Sequence, residues 1–199
     1  MQPKTFLRSG EGALASYSYT DLADGTGVVV LYAGQVNPVS AADAHILSAQ
    51  QFYSEAVEVS GTTTFNFDLT AFNSPRIAKG TAYLNFGVFQ TSSSSNISLT
   101  VKLQKNVGRS FTDISSTITA KMPTGNGGHK MCMVPIPVTT TAFKIGEALR
   151  MVVVWTDGTA SSAIGIDPMG RYGNYITSAL TAPSISTVMK LLMPFKLNS

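Results

Sequence analysis

The feature that most restricts the fold of this chain is a stretch of strict alternation between apolar and polar residues. Within residues 96–105, Ile97, Leu99, Val101 and Leu103 alternate with hydroxyl, amide and lysine side chains. Successive side chains of a β-strand point to opposite faces of the sheet, so a period of two gives one apolar and one polar face. The stretch therefore predicts a strand with one face in the core and one in water.

Similar stretches recur along the chain, separated by clusters of Gly, Pro, Ser and Asn. The clearest lie at residues 27–34, 64–69, 83–89, 149–155 and 188–197, and weaker ones lie at 13–19, 52–59, 111–121 and 130–138. Such spacing is typical of sandwiches and jelly rolls. A helical turn is expected only at residues 40–51, where Ser40 can cap it. The glycine-rich residues 124–128 and the Asp-Gly pair at 157–158 predict two hairpins.

Composition supports β-structure and a single domain. Charged residues make up 13% of the 199 residues, about half of the usual share, and Ser and Thr are abundant. Helix surfaces normally carry Glu, Lys and Arg, whereas exposed strand positions accept Thr and Ser. We predict an all-β fold, an antiparallel two-sheet sandwich of jelly-roll type with about eight to ten strands. The sandwich would span residues 13–199, after an N-terminal arm at residues 1–12.

The sequence contains no recognisable catalytic motif. It has two histidines, His45 and His129, and no Gly-x-Ser-x-Gly elbow of the kind that presents a nucleophilic serine. A hydrolase would need one of these histidines within hydrogen-bond reach of a Ser and an Asp, which the sequence cannot establish. One cysteine and two isolated histidines do not form a zinc site. We therefore predict no enzyme activity, no catalytic residue, no metal site and no cofactor, and leave a calcium ion between loop aspartates open.

Charge and hydropathy limit the classes of partner that the chain is expected to bind. The 14 Lys and Arg residues exceed the 11 Asp and Glu residues only slightly, and they lie scattered. Proteins that bind nucleic acid usually concentrate positive charge on one face, so we predict no nucleic-acid partner. No apolar stretch is long enough for a signal peptide or a membrane span, which predicts a protein made in the cytoplasm without a membrane partner.

Several residues are candidates for an interface. Phe6, Leu7 and Arg8 lie in the polar N-terminal arm, which would either be disordered or dock on a neighbouring subunit. Tyr83 and Phe89 give strand 83–89 a second apolar face, and Tyr172 and Tyr175 lie in an aromatic loop. Because interface cores lose charged residues, low charge and two-faced strands favour self-association. The loop tyrosines leave a glycan partner open.

The chain resembles a family of all-β virion proteins of tailed bacteriophages, encoded among head and structural genes. The resemblance lies in residues 17–32, 52–60 and 143–150, in Asp167, Pro168 and Arg171, and in the closing residues 193–197. It implies a jelly-roll-like domain, commonly a homotrimer, that is located in the virion and binds the major capsid protein or other virion proteins. We therefore expect a capsid decoration protein. The alternative is a carbohydrate-binding or adhesive module of a phage fibre or tail.

Overall fold

The computed structural model describes residues 5–7, 14–16, 26–35, 45–52, 62–90, 97–121, 128–157, 162–166 and 189–196. Regular structure in these residues is entirely β, which confirms the predicted fold class at this coarse level. The strands are β1 Thr5–Leu7, β2 Leu14–Ser16, β3 Thr26–Gln35, β4 His45–Ser48, β5 Thr63–Leu69, β6 Arg76–Gln90, β7 Ile97–Val107, β8 Ser110–Asp113, β9 Ile118–Lys121, β10 Gly128–Phe143, β11 Ala148–Asp157, β12 Ser162–Gly165 and β13 Met189–Lys196. Within the same residues no helix could span a membrane.

Eleven of these strands form one sheet, and β1 and β2 pair separately as a two-stranded sheet. The order across the large sheet is β10-β6-β13-β3-β4-β5-β11-β7-β8, with β12 also paired to β6 and β9 to β7. The predicted fully antiparallel arrangement is wrong at one place, because β4 and β5 run parallel. The sheet is therefore mixed.

The two ends of this strand order meet. Ser115, which follows β8, forms a β-bridge with Val138 of β10. Beside it, the amide of Thr139 donates a hydrogen bond of 2.8 Å to the carbonyl oxygen of Ile114. Strands from both ends contribute to one core cluster, which contains Ile136 of β10 and Leu103 of β7. The sheet therefore bends far enough to bring its first and last strands together around a common core.

Alternation along the strands sets which side chains enter that core. In β7 the four aliphatic residues of the alternating pattern are all buried, as predicted: Ile97, Leu99, Val101 and Leu103. In β11, Leu149, Met151, Val153 and Trp155 are buried, whereas Arg150 between them is half-buried. Burying an aliphatic or aromatic side chain of this size stabilises a fold by about 1.5–3 kcal/mol, so a shift of register by one residue is strongly disfavoured.

Three local predictions are wrong. Of the helical turn expected at residues 40–51, residues 40–44 lie outside the described part of the structure. Residues 45–48 form β4, because His45 and Leu47 are buried on one face while the strand pairs with β3 and β5. Neither expected hairpin pairing occurs between the described strands. β9 pairs with β7 while β10 pairs with β6, and β11 pairs with β5 and β7 while β12 pairs with β6. Glycine-rich signals predict a turn, but they do not say which strands become neighbours.

Candidate ligand-binding site

A cavity of about 280 Å³ lies beside the connection between β5 and β6. We call it the Phe72 cavity. It has an apolar part and a polar part. Its apolar lining is Val29, Leu31, Ala49, Leu69, Ala71, Phe72 and Phe195, and its polar lining is Thr70, Asn73, Ser74 and Arg76. This combination of an apolar surface with a few polar groups is typical of small-molecule sites.

Arg76 enters the cavity lining because of the alternation in β6. Ala78, Ala82 and Leu84 are fully buried, whereas Ile77 is 36% exposed. Residue 76 therefore belongs to the core-facing positions of the strand. Its partner across the sheet is Phe143 of β10, which is also buried. The guanidinium group is thus carried by a position that normally holds an apolar side chain, and Arg76 is half-buried.

Three phenylalanine rings form the aromatic wall of this region. The ring centroid of Phe72 lies 5.1 Å from that of Phe143 and 5.6 Å from that of Phe195, and Phe143 and Phe195 are 6.3 Å apart. The interplanar angles of 63°, 77° and 73° make all three contacts edge-to-face. Aromatic pairs in this geometry are attractive beyond the area that they bury. The wall is therefore fixed by its own ring contacts.

Backbone hydrogen bonds also hold Phe72 in place. Its amide donates to the carbonyl oxygen of Glu147 at 2.9 Å, and its carbonyl oxygen accepts from the amide of Gly146 at 3.0 Å. Gly146 has a φ of 85°, a left-handed conformation in which glycine is the least strained residue. Phe72 is thus anchored on both sides to the turn between β10 and β11, so the cavity wall exists before any ligand arrives.

The carboxylate of Glu147 stabilises that turn. It accepts a hydrogen bond of 2.6 Å from the backbone amide of Lys144 and forms an ion pair with Lys105 of β7. The hydrogen bond from Lys105 and then the one from Lys144 lower the pKa of Glu147 below its usual value. Lys105 also donates to the carbonyl oxygen of Ala142 at 2.8 Å. One lysine therefore links β7 to the end of β10 beside the aromatic wall.

A second group of polar side chains crosses the opposite face of the sheet. We call it the Arg150 row: Asp68 of β5, Arg150 of β11, Gln104 of β7 and Asp113 of β8 occupy directly paired positions. Gln104 donates a hydrogen bond of 2.7 Å to Asp113, and Lys102 donates another of 3.2 Å. Both hydrogen bonds, that of Gln104 first, lower the pKa of Asp113. Each charge of the row therefore has a partner: Asp68 pairs with Arg150, and Asp113 pairs with Lys102.

The two arginines differ in how their charge is balanced. Arg150 forms an ion pair with Asp68, and its guanidinium lies 3.8 Å from the centroid of the Phe111 ring. Within the residues that the structure describes, no carboxylate forms an ion pair with Arg76. In that part of the chain the charge of Arg150 is thus balanced by a carboxylate, whereas the charge of Arg76 is not.

Of the residues predicted to form an interface, Tyr83 is the one whose side chain the structure describes, and it does not line the Phe72 cavity. Tyr83 is half-buried within the sheet, opposite Pro135 of β10 and Leu192 of β13. Phe89 pairs with His129 and Ala163 along the backbone, and Phe6 and Leu7 of β1 pair with Ala15 and Leu14. The side chains of Phe6, Leu7 and Phe89, and the whole of Arg8, Tyr172 and Tyr175, lie outside the described part of the structure.

The histidines considered for catalysis lie in different settings. His45 is 8% exposed, and its ring packs edge-on against Phe65 at 5.1 Å and Phe67 at 5.2 Å between centroids. The side chain of His129 is not among those that the structure describes. In the described residues, no group of three or more His, Cys, Asp and Glu could hold a metal ion.

Neither Arg76 nor Phe72 is among the site residues predicted from the sequence. A signal existed for Arg76, because it is in phase with Leu84, Phe86 and Val88, the inward residues of the predicted strand. Phe72 had no such signal, since it lies outside any alternating stretch and only the β10–β11 turn positions it. A cavity wall built from a connection depends on contacts between distant segments, which periodicity does not report.

Comparison with solved structures finds hydrolases. The chain matches an aminopeptidase from a marine sediment Thaumarchaeota archaeon over 97% of its length, with a TM-score of 0.58 and 7% identity. It matches a CocE/NonD family hydrolase from Staphylococcus aureus over 94% (TM-score 0.54, 13% identity) and an alpha-amino acid ester hydrolase over 84% (TM-score 0.53, 9% identity). The match covers 40%, 39% and 36% of those three chains, respectively. No family model and no curated protein matches the chain.

These matches share the fold of the chain, and they correct two predictions. The interpretation as a capsid decoration protein, with a fibre or tail adhesin as its alternative, is wrong, because the matched structures are hydrolases. The prediction that the chain has no enzymatic role is wrong for the same reason. The resemblance to phage virion proteins, and the homotrimer that it implies, stay predictions.

Proposed function

We propose that the chain acts in the hydrolysis of ester or amide bonds, as a β domain of a hydrolase. The observation that carries this proposal is the coverage of the matches. Between 84% and 97% of the chain aligns with three hydrolases, although it spans only about two fifths of each. The counterpart of this chain is therefore one part of a larger hydrolase, and an all-β part in the residues described.

The Phe72 cavity supports a role in recognising the substrate. Its described lining offers hydroxyl, amide and guanidinium groups together with aromatic surface, and none of these described residues is a histidine or carries a carboxylate. Such groups can bind and orient an acyl compound, whereas proton abstraction requires a base such as His, Asp or Glu. In this proposal the described residues hold the substrate, and the nucleophile and base come from outside the cavity.

We also propose that the large sheet forms a sandwich of jelly-roll type. The Ser115–Val138 bridge supports this shape, since it joins the two ends of the strand order. The edge-to-face contacts of Phe72 with Phe143 and Phe195 support it as well, because they connect the β5–β6 connection to β10 and β13 across the core. Small-angle X-ray scattering of the purified chain tests the shape, and an elongated flat profile would contradict it.

The hydrolase proposal can be tested with the purified chain. Chromogenic amino acid esters and amino acid anilides measure turnover. A ketomethylene analogue, in which CH₂ replaces the ester oxygen, measures binding without hydrolysis by changes in amide chemical shifts. We expect binding of the analogue, with or without turnover of the ester. A folded chain that neither hydrolyses the substrates nor binds the analogue would overturn the proposal.

A further inference from the structure

We propose that the Phe72 cavity is a binding site for a small apolar carboxylate, whose charged end pairs with Arg76. The charge of Arg76 is the first reason. Arginine stays protonated at any physiological pH, and removing such a charge from water is costly unless it is paired. Arg76 lies half-buried at a core-facing position, and none of the described carboxylates forms an ion pair with it. An incoming anion can supply that partner.

The chemistry of the other cavity walls also favours an anion. Apart from Arg76, the polar lining residues Thr70, Asn73 and Ser74 are uncharged, so no acidic side chain among the described lining residues repels an anion. The hydroxyl and amide groups can donate hydrogen bonds to carboxylate oxygens. Guanidinium binds a carboxylate through two parallel hydrogen bonds, which strengthens the contact and fixes its orientation.

The size and rigidity of the cavity favour a small ligand. At about 280 Å³ the cavity is close to the lower limit for small-molecule sites, which suits a single ring or a short acyl chain. The rings of Phe72 and Phe195 provide the apolar contact, and the backbone bonds to the β10–β11 turn hold Phe72 in position. A preformed wall reduces the entropy lost on binding.

The ligand class agrees with the proposed function, because hydrolysis of an ester or amide releases a carboxylate. The inference does not rest on that function, since it follows from the cavity alone. Binding is measured here without any turnover. Failure of carboxylate binding would therefore leave the hydrolase proposal standing, and absence of hydrolysis would leave the carboxylate site standing.

The experiment compares phenylacetate with phenylacetamide, a neutral ligand of nearly the same shape, by isothermal titration and by amide chemical shifts. We expect phenylacetate to bind at least about tenfold more tightly, a difference of about 1.4 kcal/mol. In R76Q this preference is lost while weak binding of the amide remains. R109Q is the matched control, because it removes an equal charge from the exposed turn between β7 and β8, and it should keep the preference.

A second variant tests the cavity itself. A49F places a large side chain in the lining while retaining Arg76, so it should weaken both ligands. Thermal unfolding of each variant establishes that it is folded. Equal affinity for the two ligands, no binding of either, or the same loss in R76Q and R109Q would overturn the site. Chemical-shift changes located outside the cavity would overturn it too.

Discussion

Arg150 of β11 and Asp68 of β5 are joined by two parallel hydrogen bonds of 2.7 Å, from the guanidinium Nε and Nη2 to the two carboxylate oxygens. This paired fork is the strongest geometry for an arginine and a carboxylate. The ion pair connects the neighbouring strands β11 and β5, because Arg150 and Asp68 occupy directly paired positions. The contrast with Arg76, whose charge no described carboxylate balances, separates a structural arginine from one that is available to a ligand.

We expect D68N to lower the free energy of unfolding by about 1 kcal/mol, since the pair is partly exposed and screened by water. The midpoint of thermal unfolding should fall by about 2–4 °C. A double-mutant cycle with R150Q isolates the pair. If D68N costs as much in the R150Q background as in the wild type, the two residues do not act together.

The ring of Phe111 is expected to stabilise the fold through its contact with Arg150. Phe111 is 39% exposed, and the Arg150 guanidinium lies 3.8 Å from its centroid. Cation–π contacts at exposed sites are worth about 0.5–1 kcal/mol. F111A should therefore destabilise the wild type by that amount and R150Q by clearly less, as measured by chemical denaturation. F111L, which keeps apolar volume but loses the ring, should resemble F111A if the ring is responsible.

Acid should weaken the β10–β11 turn through Glu147. Its pKa in the folded protein is lowered from an ordinary 4.5, because it accepts hydrogen bonds from Lys105 and Lys144. The ionised carboxylate therefore stabilises the fold fully above about pH 4.5, and this contribution disappears as the pH falls through the folded pKa. We expect the difference in unfolding free energy between wild type and E147Q to be largest near pH 7. That difference should shrink toward pH 3, and a pH-independent difference would contradict this assignment.

Ser115 is expected to be important for stability although it is small. It is buried, and its hydroxyl oxygen accepts a hydrogen bond of 2.9 Å from the amide of Leu103. In S115A that amide would lose this partner, at a cost of about 1–3 kcal/mol. Ser116 is its matched control, because it is exposed and directly adjacent. Urea denaturation of S115A and S116A should differ by that amount, and equal effects would sink the idea.

The sequence predicted the strands better than their partners. Alternation located β7, β5, β11 and β13 to within a few residues, because burial of one face determines both strand and register. It did not predict that β4 pairs in parallel with β5. Nor did it predict that β9 and β10, on either side of a glycine-rich segment, pair with different strands. Those pairings depend on long-range packing, which no local pattern encodes.

The candidate site was less predictable than the fold. The aromatic loop residues were predicted as interface residues because tyrosine is common at interfaces. The described cavity is instead lined by Phe72 and Arg76, which belong to no recognisable motif. Arg76 could have been found by asking which charged residue shares the inward phase of a strand. Phe72 could not, since its position depends on hydrogen bonds to Gly146 and Glu147, more than 70 residues later in the chain.

The position of β13 has a consequence for how the chain folds. β13 follows every other described strand in the sequence, yet it lies in the sheet between β6 and β3 and pairs with both. During synthesis the ribosome releases β3 and β6 long before the strand that must join them. The sheet can therefore be completed only after β13 has been translated. Until then β3 and β6 each have an unpaired edge that a chaperone, or another nascent chain, can reach.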